Sequence, residues 1–398
     1  MTDSYRADFQ ILEGDALIYF DNACQTLRPK QVLSAMNEYY EQYPACGGRS
    51  MHRLAARVSQ QVDQARARIA RFIDARDKKE IVFTRNTTEG INLVAHSLGL
   101  RAGDVVITSD KEHNSNLIPW QVLQQKLGIK HVIVATDQDG LLDLEAYQHA
   151  LTQGVALVSM GYVSNLDGVA QPVERIIQLA HAAGAKVLLD GAQAVPHHKL
   201  SVTQLDVDFL AFSGHKMLGP SGIGVLYGKS QLLAELEPFL VGGDTVAFST
   251  YTSHEFLAAP EKFEAGLQDY AGIIGLGAAV AYLEQVGFDA IVARELELNQ
   301  FLTKELTTIK GLHLIGPQDP SLRSGIISFY VDGKDHHKIA LMLDEVAGIC
   351  VRSGQHCVHS WFHDRRLAGS VRASVYFYNT LAEAEVFVTQ LRKVLSVL

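Results

Sequence analysis

Long apolar runs are missing from this chain of 398 residues. No stretch approaches the ~18 apolar residues of a membrane helix, so no membrane-spanning segment is expected. Runs of lysine and arginine are missing as well. With a net charge of −9, the sequence predicts no nucleic-acid surface and no contact with anionic lipid. Cysteine is scarce: Cys24, Cys46, Cys350 and Cys357 show no paired spacing. That argues against a disulfide framework or zinc ribbon, predicts no metal site, and points to a reducing, cytoplasmic setting. The first residues, MTDSYRADFQ, do not read as a signal peptide. Neither a Walker-type phosphate loop nor a well-placed dinucleotide glycine motif is present, which disfavours a nucleotide-binding protein. Internal repeats and low-complexity linkers are also lacking.

What remains is the composition of an ordinary globular protein, 47% apolar and 20% charged, long enough for two domains. Residues 1–20 read as an N-terminal arm ending in an apolar stretch, Ala16–Phe20. Asp21–Ala23 reads as a turn. Helices are predicted over Gln31–Tyr43 and Val58–Phe72, with a glycine-bearing loop, Cys46–Arg53, between them. Glu80–Thr84 reads as a strand leading into a helix, and from Val105 to Gly228 strands and helices alternate. The strands are Glu80–Thr84, Val105–Thr108, His131–Ala135, Ala156–Tyr162, Val187–Leu189, Phe209–Phe212 and Gly224–Tyr227. Such βα alternation predicts an α/β fold with a mostly parallel sheet, whose ligands collect at the carboxyl ends of the strands. The last third reads as a smaller α/β unit, with strands at Leu312–Ile315, Gly325–Tyr330 and Val371–Tyr378 and a final helix at Leu381–Val397.

The chemistry centres on Val207–Pro220, VDFLAFSGHKMLGP, where an apolar strand empties into Ser213, Gly214, His215 and Lys216. Lys216 is either a solvated loop lysine or a desolvated Schiff-base amine. Upstream, Lys186–Gln193 reads KVLLDGAQ and ends a second strand in Asp190. That aspartate is either a turn cap or the carboxylate partner of a protonated pyridine nitrogen. Two such groups, each ending an apolar strand, are hard to explain as unrelated caps. Thr87–Glu89 opens a helix with a composition suited to a phosphate or to ordinary capping. Val351–Cys357, VRSGQHC, places a cysteine among polar neighbours in a turn, and Arg372 lies in SVRASVYFYNT.

With these motifs the chain resembles the class V aminotransferase-like enzymes of fold type I, which depend on pyridoxal 5′-phosphate (PLP). Within them it resembles the SufS/CsdA-type cysteine desulfurases and selenocysteine lyases, from about residue 20 to the end. The resemblance implies a large PLP-binding domain over residues 21–279, built on a seven-stranded sheet. A small domain, residues 1–20 plus 280–398, would carry the cysteine loop. It implies PLP bound covalently to Lys216, with Asp190 on the ring nitrogen, Gln193 on the ring hydroxyl and His113 stacked on the ring. Thr88, Ser213 and His215 match the phosphate contacts. Asn165, Arg352 and Arg372 match the groups that hold the substrate carboxylate. The loop with His52 and Arg53 matches one that completes the site of a neighbouring subunit, which implies a homodimer.

The reaction so implied converts L-cysteine to L-alanine and leaves a persulfide on Cys357, with Lys216 moving the Cα proton. A sulfur-acceptor protein or iron–sulfur scaffold would take the persulfide. The short loop before Cys357 favours the SufS group over the IscS group. Selenocysteine lysis and simple cysteine or cystine β-elimination are the alternatives within the family; a non-catalytic scaffold would have lost Lys216, Asp190 or Cys357. Three positions depart from the family pattern: Leu267 stands for a threonine that reaches the neighbour's phosphate, Tyr162 for a histidine, and Asn114 follows His113.

Overall fold

A computed structural model describes residues 3–14, 17–152 and 154–398. Part of the expected N-terminal arm, including Ala16, lies outside the described residues. The larger sheet has seven strands. In spatial order they are Ile81–Thr84, Gly224–Gly228, Phe209–Ser213, Lys186–Asp190, Val155–Gly161, Val105–Ser109 and Lys130–Val134. Only Gly224–Gly228 runs against its neighbours. The central strands are buried on both faces, which is why they read as largely apolar runs rather than alternating ones. The partly exposed strand Lys130–Val134 closes one edge.

The smaller sheet is antiparallel, in the order Leu312–Ile315, Ile326–Val331, Ser370–Ser374, Arg352–Gly354. Its core contains Phe329, Leu343, Val371 and Phe387, together with Ile18 and Phe20 from near the N-terminus. The helix Tyr270–Val286 is apolar on nearly every face because helices Lys30–Gln42 and Arg53–Phe72 cover it. Among the described residues, no single helix is long and apolar enough to cross a membrane.

The segment Asp21–Leu27 ties the two sheets together. Asn22 Nδ2 donates to the Ser374 carbonyl at 2.7 Å, and the Tyr378 hydroxyl bonds Asn22 Oδ1. The Ala23 N–H donates to Ser374 Oγ at 2.9 Å, while the Ala23 carbonyl accepts from Gln193 Nε2 at 2.7 Å.

Two expected elements change. The helix predicted from Val58 starts at Arg53, because the His52 ring accepts the Ala55 N–H and caps it; Arg53 is therefore helical rather than part of the loop. The strand predicted over Val371–Tyr378 stops at Ser374. Beyond it Asn379 Oδ1 accepts the Tyr376 N–H at 2.9 Å and closes a turn. Tyr376, Phe377 and Tyr378 then pack into the core of the larger sheet.

Candidate active site

The carboxyl ends of the parallel strands and the cavity-facing edge of the smaller sheet enclose one cavity of about 220 Å³. Thr87 and Thr88 follow Thr84, His113 follows Ser109, and Asn165 follows Gly161 at that rim. Asp190 ends its own strand there, and Ser213 leads directly into His215 and Lys216. From the smaller sheet come Arg352 and Arg372, and from the turn after its strand Arg352–Gly354 come His356 and Cys357. Gly224 makes the first of these approaches possible: a Cβ there would lie 2.6 Å from Asn86 Cα, so only glycine lets the loop before Thr87 come so close.

All the predicted cofactor residues line this cavity: Thr88, His113, Asp190, Gln193, Ser213, His215 and Lys216. So do Asn165, Arg352, Arg372 and Cys357. His52 and Arg53 do not; both are exposed, away from the cavity of their own chain. Thr87, read with Thr88 as part of a phosphate-suited helix start, lines it too; sequence reading assigned no site role to Cys24 and Glu112, which also line it. Glu112 sits beside His113, already singled out, so adjacency was the available signal. Cys24 carried none.

The electrostatics suit an aldehyde-bearing, phosphorylated pyridine. Burial lowers the Lys216 pKa below the ordinary lysine value, with Asp190 acting against it. An amine so desolvated is closer to the neutral, nucleophilic form. Burial raises the Asp190 pKa, and Lys216 opposes that rise. Asp190 accepts the Ala192 N–H at 2.9 Å through one oxygen. His113 is held neutral, its pKa pushed down to about 3 by burial first and by Lys216 next. Its Nδ1 accepts the Ser115 N–H at 3.1 Å, which fixes the ring at the start of the helix Asn114–Leu127. Burial likewise lowers His215 to about 4.

Ser213 Oγ accepts the Thr87 N–H at 2.9 Å and meets Thr87 Oγ1 at 2.6 Å, at the start of the helix Thr87–Ser97. Gln193 differs from expectation in one respect. Its amide nitrogen is bonded to the Ala23 carbonyl, and its buried Oε1 has no partner among the described residues. The free atom is thus an acceptor. An unpartnered buried acceptor, a buried carboxylate and a desolvated lysine around one cavity fit PLP.

Arg372 is buried; its Nη1 donates to the Asn165 carbonyl at 2.9 Å and its Nη2 to Asp21 at 3.4 Å. Arg352 Nη1 contacts Cys24 Sγ at 2.6 Å. The Asn165 side chain donates to the His356 carbonyl at 2.7 Å, so in this structure it supports the cysteine turn.

The chain matches the aminotransferase class-V family over residues 18–387 and belongs to it. Its curated relatives are more specific. A probable cysteine desulfurase of Streptomyces coelicolor is 40% identical, covering 99% of this chain and 97% of its own. Among solved structures, the apo cysteine desulfurase of Thermococcus onnurineus NA1 superposes with a TM-score of 0.95 at 38% identity, covering 99% and 98% of the two chains. The cysteine desulfurase CsdA of Escherichia coli gives a TM-score of 0.93 at 35% identity, covering 100% and 99%. The family implies PLP as cofactor.

Proposed function

We propose that this protein is a PLP-dependent cysteine desulfurase that converts L-cysteine to L-alanine and carries the sulfur away on Cys357. The observation that carries the reading is the meeting of Lys216, Cys357 and the pair Arg352 and Arg372 at one cavity. The roughly 40% identity to named cysteine desulfurases over nearly the whole chain supports it.

Lys216 would hold the cofactor covalently, Asp190 would face its ring nitrogen, and His113 would cover its ring. Thr88, Ser213 and His215 would surround its phosphate, and Gln193 would accept a hydrogen bond through Oε1. When bound, PLP supplies the electron sink that makes the bonds at an amino acid's Cα labile. The chain's own groups do the rest. Arg372, with Arg352, holds the substrate carboxylate and so orients the amino acid. Lys216 Nζ takes the Cα proton and returns a proton to the product. Cys357 Sγ, attacking as the thiolate, forms a bond to the substrate sulfur. The carbon–sulfur electron pair remains with the substrate carbon, which is protonated to give alanine, while Cys357 keeps the persulfide.

The decisive experiment incubates the cofactor-loaded protein with L-cysteine and follows alanine together with the mass of the peptide carrying Cys357. One added sulfur on that peptide, and no desulfuration by Cys357→Ser, are expected. Wild-type rates in Cys357→Ser would show a simple β-eliminating lyase instead. Survival of selenocysteine lysis in Cys357→Ser fits the desulfurase reading, because selenide elimination does not need the thiol.

The exposed His52 and Arg53, with Leu267 at 69% exposure, support a homodimer in which these segments meet the partner's site. Light scattering at low protein concentration tests this, and a fully active monomer would remove it. Passage of the persulfide to an acceptor protein or iron–sulfur scaffold, in a reducing cytoplasm, completes the proposal. The four unpaired cysteines suit that setting.

A further inference from the structure

The turn that carries Cys357 is strained. His356 and Cys357 have φ of 49° and 60°, two successive non-glycine residues in the left-handed region. Such a conformation persists only where its surroundings over-determine it. Here the Val358 N–H closes on the Gln355 carbonyl at 2.8 Å, and the His356 ring meets Ser370 Oγ at 2.8 Å. The larger sheet then grips two successive carbonyls: Asn165 holds that of His356, and the Asn114 N–H holds that of Cys357 at 2.7 Å.

Asn114 does more than donate its N–H. Its side-chain amide lies 2.7 Å from His359 Nδ1, two residues beyond the thiol, with Nδ2 donating. It therefore holds the turn at Cys357 itself and again just past it. Asn114 also directly follows His113, which lines the same cavity and is fixed at the start of the same helix. One residue thus sets the cysteine turn in register with the group that would cover the cofactor.

We propose that Asn114 is a positioning residue for Cys357, its amide bonded to His359 and holding the strained turn so that the thiol stays at the cavity. The activity arm of this inference rests on the desulfurase reading; the exchange arm does not. Release of the bond lets the turn open more often without touching Lys216, Arg372 or the carboxylate site.

The test uses the cofactor-loaded protein and the variants Asn114→Ala, His359→Ala and the double variant. Amide hydrogen exchange over residues 355–358 is expected to be about threefold to tenfold faster in each single variant, the scale of one partly exposed hydrogen bond. The double variant should exchange no faster than the singles, since both remove the same bond. With L-cysteine, kcat should fall by a similar factor while KM and the cofactor's absorption band stay unchanged. Asn114→Asp, whose carboxylate can accept from His359 Nδ1–H, should restore both exchange and kcat. Unchanged exchange in Asn114→Ala, or additive effects in the double variant, would overturn the proposal. Faster exchange in a protein that never desulfurates cysteine would leave Asn114 in its positioning role and remove the desulfurase reading alone.

Discussion

Arg352 and Arg372 stand directly opposite each other on neighbouring antiparallel strands, and both line the cavity. Like charges in that register repel. The carboxylate bonded to the pair is Asp21, at 3.4 Å from Arg372, and Arg372 Nε has no partner among the described residues. The pair is thus short of negative charge, which a substrate carboxylate would supply. Arg372→Lys keeps the charge but loses the planar fork. It should raise KM for L-cysteine by roughly tenfold to a hundredfold, about 1.5–3 kcal/mol, the scale of a hydrogen bond to a charged group. Steady-state kinetics with L-cysteine checks this, and an unchanged KM would remove Arg372 from the carboxylate site.

Lys216→Ala should release the cofactor on dialysis and lose turnover, because the desolvated amine is the group placed to hold PLP covalently. Absorption spectra before and after dialysis read the outcome. Cofactor retained as firmly as in the wild type would place the covalent link elsewhere.

Glu112 should make stability depend on pH. Burial pushes its pKa up to about 7 from 4.5, against the hydrogen bonds from Ser109, Asn116 and the Gly161 N–H; Asp190 adds to the rise. A carboxyl raised in the folded state keeps a proton that the unfolded chain has already lost. Its contribution is therefore full below pH 4.5 and falls as pH rises through the window to about 7. The loss amounts to about 3 kcal/mol. Urea unfolding of wild type and Glu112→Gln at pH 5 and pH 8 should show a steeper decline in the wild type. Parallel profiles would contradict the assignment.

Glu264 anchors the segment that leads to Leu267. It accepts both arms of the Arg66 fork, at 2.7 and 2.8 Å, and the Phe83 N–H at 2.7 Å. Glu264→Ala leaves the Arg66 guanidinium buried without its counter-charge and should cost about 3–5 kcal/mol. Denaturant midpoints measure the loss, and a change below about 1 kcal/mol would show that Arg66 finds another partner.

The larger sheet was readable because its inner strands are almost wholly buried and so largely apolar, as Phe209–Ser213 shows. The final helix was readable too: Thr380 and Glu383 form a capping box that marks its start. The hairpin of Val246–Ser249 and His254–Phe256 was not, because its side chains are largely exposed and leave no alternation. Ile18–Tyr19 is a strand only through pairing with Ile349–Cys350, a partner far along the chain. At the site, Lys216, Asp190 and Cys357 stood out by local motif. The facing of Arg352 and Arg372, and the hold of Asn165 on the cysteine turn, depend on register between distant segments, which no local pattern encodes.

The clasp between Asn22 and the pair Ser374 and Tyr378 joins residues that lie 352 and 356 positions apart in the sequence. Contacts so far apart in sequence form late, after the loop between them has closed. During synthesis, residues 21–27 emerge long before Ser374 and Tyr378, the partners they wait for. The Ala23 carbonyl that orients Gln193 is part of the same segment. The cavity is therefore completed only once Ser374 and Tyr378 have been made, and a nascent chain ending before Ser374 can present Lys216 but not an assembled site.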